Sequence, residues 1–362
     1  NNKNYYLINS LDEIDKWIEE AEEVGEVAVD TETTSLDPHQ ADLVGISLCS
    51  KVGRACYIPV GHKSPKCLKK DAVIKKLKKI LEDPSIKKIG QNIKFDFIVL
   101  YKCGITLSSM EDTMLMSYVL DAGKNRHNMD TLSEIHLGHK TISFKEMVGT
   151  GKKEINFSEV ELDKAKDYAA EDADVTFRLY KKFIKNLKSE KMINIYEIFE
   201  KPLIKILAFM EIEGVEIDSK FLKSLSSKFE KKIQKLEKEV FKISKKEFNI
   251  ASPKQLGEII YNDLKIAGLK KTKKGSFATS ASVLEDLAFK GHEFPKLILD
   301  WRQVSKLKNT YSDALPEHLN PNTKRVHTSF LLAATTTGRL ASSDPNLQNI
   351  PIKSEDGKDI RK

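Results

Sequence analysis

Cysteine is scarce in this sequence and is not arranged as a metal-binding or redox motif. The 362 residues contain four cysteines, at Cys49, Cys56, Cys67 and Cys103. None are spaced as C-x-x-C or have close histidine partners, which excludes the usual zinc-finger and thioredoxin-type motifs. We therefore expect reduced, partly buried thiols in an intracellular protein.

Long apolar runs are also missing. No segment approaches the roughly 18 consecutive apolar residues of a membrane-spanning helix, so no membrane partner is expected. A basic-then-apolar signal segment does not open the chain. The sequence starts with Asn1 and not with Met, which favours a piece of a longer protein or a processed form.

Charge is abundant but unevenly distributed. Apolar residues make up 40% and charged residues 31%, which is typical of a globular protein. Residues 1–190 hold 29 basic and 31 acidic side chains, whereas residues 191–362 hold 31 and 22. The basic second half is a candidate for binding a polyanion. A lysine-rich surface without a ligand explains the excess equally well.

The first half has the pattern of a mixed α/β domain, in which helices flank a sheet. Strands are predicted at residues 26–30, 43–49, 55–60 and 86–89. Helices are predicted at 71–82, 92–102, 111–120 and, as one or two helices, 161–189. Such an arrangement is large enough to bury a core.

From about residue 199 the strand pattern fades and helices dominate. Residues 218–246 predict one long helix with Asp218 as its N-cap. Its apolar residues recur every three or four positions, so this stripe needs a partner. Residues 296–315 offer one, and two long antiparallel helices would form a projecting arm.

The segment VAVDTETTSLD places Asp30 and Glu32 two residues apart after an apolar strand. Residues i and i+2 of a strand point to the same face. Two carboxylates about 4 Å apart repel by about 4 kcal/mol at an effective dielectric constant near 20. Either the pair is splayed into water, or a cation lies between the two groups.

Two further segments add acids and a phenol. GQNIKFDFIVL contains Asp96, and DYAAEDADVTFRLY contains Tyr168 and Asp172, one helical turn apart. Taken singly, each is better explained as a cap or a surface charge. Together with Asp30 and Glu32 they predict a site for two divalent metals, which hard oxygen ligands suit. Tyr168 would then position a reactant by hydrogen bonding and would not act as a base.

In this order, D-x-E, N-x-x-x-D and Y-x-x-x-D resemble the exonuclease motifs of the DEDD superfamily, in its tyrosine-bearing branch. The resemblance implies a ribonuclease H-like fold and hydrolysis at the 3′ end of a single strand. It implies that Asp30, Glu32, Asp96 and Asp172 bind two ions, Mg²⁺ or Mn²⁺, which Zn²⁺ could replace in a crystal. It also implies that Glu32 and Tyr168 orient the attacking water. Residues near the terminal nucleotide would be Thr33, Leu36 and Asn92.

The stretch TTTGRLASSDPNLQNIP, residues 335–351, strongly resembles a motif of family A DNA polymerases. Arg339 can reach minor-groove acceptors, which are nearly alike for every base pair. Amide side chains that tolerate any sequence are Asn346, Gln348 and Asn349. The resemblance extends back through nearly the whole chain, to large fragments of the bacterial polymerase I type. It includes a lysine-rich loop with Lys270, Lys271, Lys273 and Lys274, expected to contact phosphates.

The resemblance implies three parts: a 3′–5′ exonuclease domain, a thumb with long antiparallel helices, and the start of a palm. Their expected ranges are 1–190, 191–330 and 331–362. The family carries its synthetic aspartates and its fingers beyond this point. By itself this polypeptide should therefore not polymerise DNA.

The expected function is metal-dependent 3′–5′ proofreading on DNA, in replication and repair, within a DNA-directed DNA polymerase. Expected partners are a single-stranded 3′ end at the nuclease site and a primer–template duplex at the thumb, with the chain itself a monomer. A bacterial cytoplasm or nucleoid and a DNA-containing organelle both fit. Two alternatives stay open: an RNA-trimming exonuclease of the same superfamily, and a DNA-binding fragment without catalysis.

Overall fold

The computed structural model describes residues 3–266, 277–352 and 354–362. The chain forms two compact units. The first comprises Asn1–Gly214 and His327–Ser343, and the second Val215–Val326 and Asp344–Lys362. No helix in the described ranges combines the length and the apolar character needed to cross a bilayer.

The compact units differ from the domain ranges expected from the sequence. The first unit continues past residue 190 to Gly214 and also includes the later segment His327–Ser343. Leu207, Ala208 and Leu332 are buried in the same apolar core as the sheet. Burial of these side chains joins the later segments to the sheet.

A six-stranded mixed sheet forms the centre of the first unit. Its strands are β1 (Asn4–Leu7), β2 (Glu26–Thr33), β3 (Leu43–Lys51), β4 (Arg54–Pro59), β5 (Lys87–Gly90) and β6 (Met110–Asp112). Their order is β1-β4-β3-β2-β5-β6. β3 is antiparallel to β2 and β4, whereas β1/β4, β2/β5 and β5/β6 are parallel. The continuous apolar run LVGISLCS is buried at every position, as expected for an interior strand.

Helices cover this sheet. They are α1 (Leu11–Val24), α2 (Lys70–Leu81), α3 (Ile93–Lys102), α4 (Thr113–Asp121), α5 (Met129–Leu137), α6 (Phe144–Val148), α7 (Leu162–Ser189), α8 (Ile193–Ile195) and α9 (Lys201–Glu213). Short 3₁₀ turns at Gly151–Lys153 and Phe157–Glu159 and a π-helical turn at Tyr196–Glu200 complete this part. α7 is one helix of 28 residues that packs on β2, β3 and β4.

The sequence placed the start of α4 too early. The predicted helix at 111–120 begins at Thr113, because Met110–Asp112 forms β6. The Asp112 side chain accepts hydrogen bonds from the backbone N–H groups of Met114 and Leu115, and so it caps the helix. An N-cap residue has extended backbone geometry, which is compatible with the end of a strand.

The second unit is mainly helical. Its helices are α10 (Ser219–Ser244), α11 (Pro253–Glu258), α12 (Ala281–Phe289), α13 (Glu293–Leu307), α14 (Ala314–Glu317) and α15 (Glu355–Ile360). π-helical turns occupy Ile259–Asp263 and Lys308–Asp313. A separate hairpin of β7 (Ser329–Leu331) and β8 (Ala341–Ser343), which the sequence reading missed, belongs to the first unit.

The long helix α10 confirms the prediction for residues 218–246. Asp218 caps it, accepting from the N–H groups of Lys220 at 3.0 Å and Phe221 at 2.9 Å. Its apolar stripe packs on α13 and the turn that follows. Ser226 bonds Asp313 near one end, and Glu237 accepts from the Trp301 indole at 3.1 Å near the other. The two helices are therefore antiparallel, as expected.

Candidate active site

Asp30 and Glu32 lie on β2, between β3 and β5 in the sheet. Glu32 is buried and Asp30 is half-buried. Glu32 pairs with Gly45 on β3, where an added Cβ would collide with the Tyr57 hydroxyl at 2.1 Å. The glycine thus makes room for a buried phenol beside the acid pair. β2 then shifts register between Glu32 and Thr33, so the paired strand is interrupted next to the carboxylates.

Helix α7 brings Tyr168 and Asp172 to the same place. Ala165, Ala169 and Ala173 are fully buried on this helix, and their small side chains allow a close approach to the sheet. Carboxylate oxygens of Asp30, Glu32 and Asp172 all lie within 4.8 Å of one another. Residues up to 142 positions apart in sequence therefore meet in one cluster.

Asp96 lies beside this cluster on α3 and is 3% exposed. Its Oδ1 atom accepts hydrogen bonds from the Thr31 N–H at 2.9 Å and from the Thr31 hydroxyl at 2.6 Å. Asp96 is not part of the three-residue group, but its charge and that of Asp30 act on each other. The structure thus brings three of the predicted metal ligands together and holds the fourth next to them.

The electrostatics of the cluster oppose full ionisation. Burial raises the pKa of Asp30 to about 6. Burial raises the pKa of Glu32 well above its usual value, and repulsion from Asp30, Asp172 and Asp96 raises it further. Burial and the Asp30 charge act in the same direction on the pKa values of Asp96 and Asp172. Four acids that lie this close together and are mostly buried need either protons or cations.

The donor set fits divalent cations that prefer oxygen. Carboxylate oxygens are the protein ligands of Mg²⁺ and Mn²⁺. Among the described residues, no basic side chain forms a salt bridge with any of the four acids. Basic side chains of the described residues therefore do not neutralise the charge of the four acids. A cation bound among their oxygens would do so.

Tyr168 is half-buried and donates a hydrogen bond to Asp172. Burial and the charges of Asp172 and Glu32 raise the pKa of its phenol. The phenol therefore stays protonated and can donate a hydrogen bond, but it cannot act as a base. The aromatic rings of Phe144 and Phe157 lie 6.2 and 5.9 Å from the Tyr168 ring.

Phe144 was not singled out in the sequence, although it is 43% exposed next to Tyr168. It starts α6, after a capping box made by Ser143 and Glu146. That box marks the start of a helix, but nothing in the sequence connects Phe144 with a tyrosine 24 positions later. This contact depends on the packing of α6 against α7.

Asp112 is a second residue that the sequence reading missed. Its oxygens accept from the backbone N–H groups of Asn92 and Ile93, both at 3.1 Å, and it caps α4 as well. Asp112 thereby holds the start of α3, the helix that carries Asp96. Burial raises the pKa of Asp112 to about 6, while these N–H groups lower it. An Asp before the helical pattern TMLMSY was the available signal.

The residues expected near a terminal nucleotide lie at the ends of the same elements. Thr33 is half-buried, and its hydroxyl donates to the Ser35 carbonyl at 2.9 Å. Leu36 is 90% exposed. Asn92 is exposed at the start of α3 with a φ of 58°.

The residues expected to contact a duplex are divided between the two units. Arg339 is exposed in the first unit. Asn346, Gln348 and Asn349 are exposed in the second. The Asn346 side chain accepts from the Gln348 N–H at 3.0 Å, which forms a local turn. The loop lysines Lys270, Lys271, Lys273 and Lys274 lie outside the described residues.

Two family models match the chain. Residues 5–188 match a model described as 3′-5′ exonuclease, and residues 219–362 match one described as DNA polymerase family A. The first match covers the strand and helices that carry the acid cluster. The second covers the antiparallel helices and the stretch that contains Arg339.

Curated relatives align with almost the whole chain. DNA polymerase I of Rhizobium leguminosarum is 47% identical over 379 residues, which cover 99% of this chain and 37% of the relative. DNA polymerase I of Pseudomonas aeruginosa is 44% identical over 354 residues, covering 96% and 39%. The chain thus spans less than two-fifths of the length of these relatives.

A solved structure shows the same fold. It is described as the POL domain of Pol1 from M. smegmatis in complex with DNA primer-template and dNTP. The TM-score is 0.82 at 26% sequence identity, and the match covers 98% of this chain and 57% of that one. The chain therefore belongs to the 3′-5′ exonuclease family and continues into a DNA polymerase family A segment, as in the DNA polymerase I relatives.

Proposed function

We propose that this chain removes nucleotides from the 3′ end of a DNA strand by metal-dependent hydrolysis. The supporting observation is the convergence of Asp30, Glu32 and Asp172 within 4.8 Å, with Asp96 beside them. A chain that buries several acids at one point without a basic partner loses stability unless cations bind there. The membership in the 3′-5′ exonuclease family favours this chemistry over a purely structural cation site.

In this proposal Asp30, Glu32, Asp96 and Asp172 hold two divalent cations, Mg²⁺ or Mn²⁺. When bound, the cations supply the positive charge that stabilises a phosphodiester transition state. Glu32 accepts a hydrogen bond from the attacking water, and the protonated Tyr168 donates one to the reacting group. Water adds across the terminal P–O3′ bond, which yields a nucleoside 5′-monophosphate and a strand with a new 3′-hydroxyl.

We infer the substrate contacts from residue type and exposure. Leu36 is an exposed apolar side chain on the loop after β2, and it suits the face of a terminal base. Thr33 and Asn92 offer polar groups at the ends of β2 and α3. In the second unit, the exposed amides of Asn346, Gln348 and Asn349 suit a duplex of any sequence. Arg339 and the lysines at 270–274 would add phosphate or groove contacts.

The test is release of mononucleotides from a 3′-labelled single strand of DNA in the presence of Mg²⁺ or Mn²⁺. We expect release that stops when a chelator is added and resumes when metal is restored. An RNA strand of equal length and sequence distinguishes an RNA-trimming enzyme, for which RNA would be degraded faster. Binding of DNA without any release of nucleotides at saturating metal contradicts the proposal and favours a non-catalytic fragment.

A further inference from the structure

Thr31 lies between Asp30 and Glu32 in the sequence, and it donates hydrogen bonds to a third acid, Asp96. It is 7% exposed. Both its N–H and its hydroxyl donate to the same atom, Oδ1 of Asp96, at 2.9 and 2.6 Å.

The topology explains why Asp96 takes this place. β5 runs parallel to β2 and pairs with it as far as Ala28 and Ile89. β5 ends at Gly90, and the chain turns into α3. The Thr31 N–H therefore lies beyond the end of the neighbouring strand, where a buried donor needs another acceptor. The first turn of α3 places the Asp96 carboxylate there.

A backbone donor alone would satisfy this requirement. The Thr31 hydroxyl adds a second donor to Oδ1 of Asp96, which already accepts the N–H. Neither of these two donors uses Oδ2, the other oxygen of the same carboxylate. Branching at Cβ restricts the χ1 angle of threonine, so the hydroxyl has few alternative directions. With two donors at Oδ1, the Asp96 carboxylate cannot rotate freely.

We propose that Thr31 is a positioning residue that fixes Oδ1 of Asp96 and thereby presents Oδ2 to one of the two divalent cations. This inference rests on the proposed function, because it assumes that cations bind at the cluster. Partners that hydrogen-bond to metal ligands commonly change metal affinity by 10- to 100-fold when they are removed. Both side-chain-directed hydrogen bonds of Thr31 in the described chain go to Asp96 and none to the other three acids, so we expect one cation position to be affected more than the other.

Thr31→Val tests the hydroxyl by itself. Valine keeps the size and the branched shape of threonine, and the backbone N–H remains. Thr31→Ser keeps the hydroxyl and loses only a methyl group. The matched control is Thr176→Val, since Thr176 is 1% exposed and its hydroxyl makes only a 3.4 Å contact with the Met129 sulfur. Asp96→Asn provides the background in which Thr31 has no carboxylate to position.

The measurement is a titration with Mn²⁺ alone, in which electron paramagnetic resonance of free Mn²⁺ gives the number and affinity of sites. We expect two sites in the unmodified chain. Thr31→Val should weaken one of them by about 10-fold or more. Thr31→Ser and Thr176→Val should bind as the unmodified chain does, and Thr31→Val should have no further effect in the Asp96→Asn background.

The outcomes separate the two proposals. If the unmodified chain and Asp30→Ala bind Mn²⁺ equally, the metal assignment of the cluster is wrong. If the unmodified chain binds two ions and the Thr31→Val titration superimposes on it, the positioning role is wrong and the metal site stands. Should Thr31→Val fail to fold by circular dichroism, Thr31→Ala removes the same hydroxyl with less bulk, and its titration is judged by the same criterion.

Discussion

The two compact units differ in how deeply their charged side chains are buried. Every fully buried Asp, Glu or Lys among the described residues belongs to the first unit. In the second unit the ion pairs lie near the surface, as between Lys228 and Asp359 at 3.0 Å, where the lysine is 56% exposed. Removal of charge from water is unfavourable, so each buried charge needs a partner or a function.

Most buried charges of the first unit have a partner. Lys94 pairs with Glu211, both almost completely buried. Glu111 accepts from Lys201 at 2.6 Å. Asp112 is surrounded by backbone N–H groups. Asp30, Glu32, Asp96 and Asp172 differ from these groups because several acids lie close together, and none of them forms a salt bridge with a basic side chain in the described part of the chain.

Removal of an uncompensated acid should have the largest effect on activity. We expect Asp30→Ala or Asp172→Ala to lower the rate of nucleotide release by at least about 10³-fold, because a cation ligand is lost. DNA binding, measured by fluorescence anisotropy, should stay within about twofold. Asp163→Ala is the control, since Asp163 is an exposed acid on α7, the helix that carries Asp172. Undiminished release in either site variant would refute the ligand assignment.

Breaking a compensated pair should have the largest effect on stability. Lys94→Met leaves Glu211 buried without its cation, and we expect the free energy of unfolding to fall by about 3 kcal/mol or more. The matched variant in the second unit is Lys228→Met, which removes a lysine that is 56% exposed. It should change the free energy of unfolding by less than about 1 kcal/mol. Denaturant unfolding measures both. Equal losses would show that burial does not distinguish the two kinds of pair.

The uncompensated cluster should destabilise the metal-free protein. The pKa of Asp30, about 6, lies above its ordinary value of 3.8. An acid with a raised pKa lowers stability progressively as the pH rises from its unfolded to its folded value, and the full cost is present at pH 7.5. In chelator at that pH, Asp30→Asn should therefore raise the free energy of unfolding by about 1–2 kcal/mol. Added Mn²⁺ should reverse the order of the two proteins, and Asp163→Asn should not show this reversal.

The smallest expected effect concerns a histidine pair away from the acids. His39 stacks on His327 at 4.5 Å, and burial and that neighbour lower the pKa of His39 to about 4. Between pH 6.5 and 4 the unfolded chain binds a proton that the folded chain does not, so stability falls as the pH falls through this window. Lys102 and Lys94 act in the same direction on the pKa, and Asp37 opposes them.

His39→Asn should remove this contribution. The difference in free energy of unfolding between pH 7 and pH 4.5 should become smaller by about 1 kcal/mol in the variant, measured by urea unfolding. The carboxylates titrate in both proteins, so the comparison isolates the histidine. An identical pH dependence in both would show that the pKa of His39 is the same in the folded and the unfolded chain.

Much of the site was predictable because its parts lie on elements with strong local patterns. Alternation around Asp30 and Glu32 indicated a strand, and the four-residue spacing of Tyr168 and Asp172 indicated one helix face. Asp218 had the residue type of an N-cap. Cys49 and Cys56 are buried free thiols, and Cys67 and Cys103 are half-buried free thiols, as expected.

Other features depend on packing between distant segments. Nothing local connects Thr31 with Asp96, which lies 65 positions away, or Asp112 with the start of α3. β6 is three residues long, too short for its period to be recognised next to a helical pattern. The compact unit around the sheet extends beyond residue 190, because α9 joins it through burial of side chains such as Leu207.

The amino-acid order by itself fixed which chemical groups were present and which face of each strand or helix they share, since backbone geometry sets those periods. Tertiary packing determined which faces meet, how far apart the oxygens lie and which buried charges find a partner. The reason is that burial and electrostatic repulsion act between atoms close in space, and the distance between Asp30 and Asp172 is a property of the folded sheet and helix.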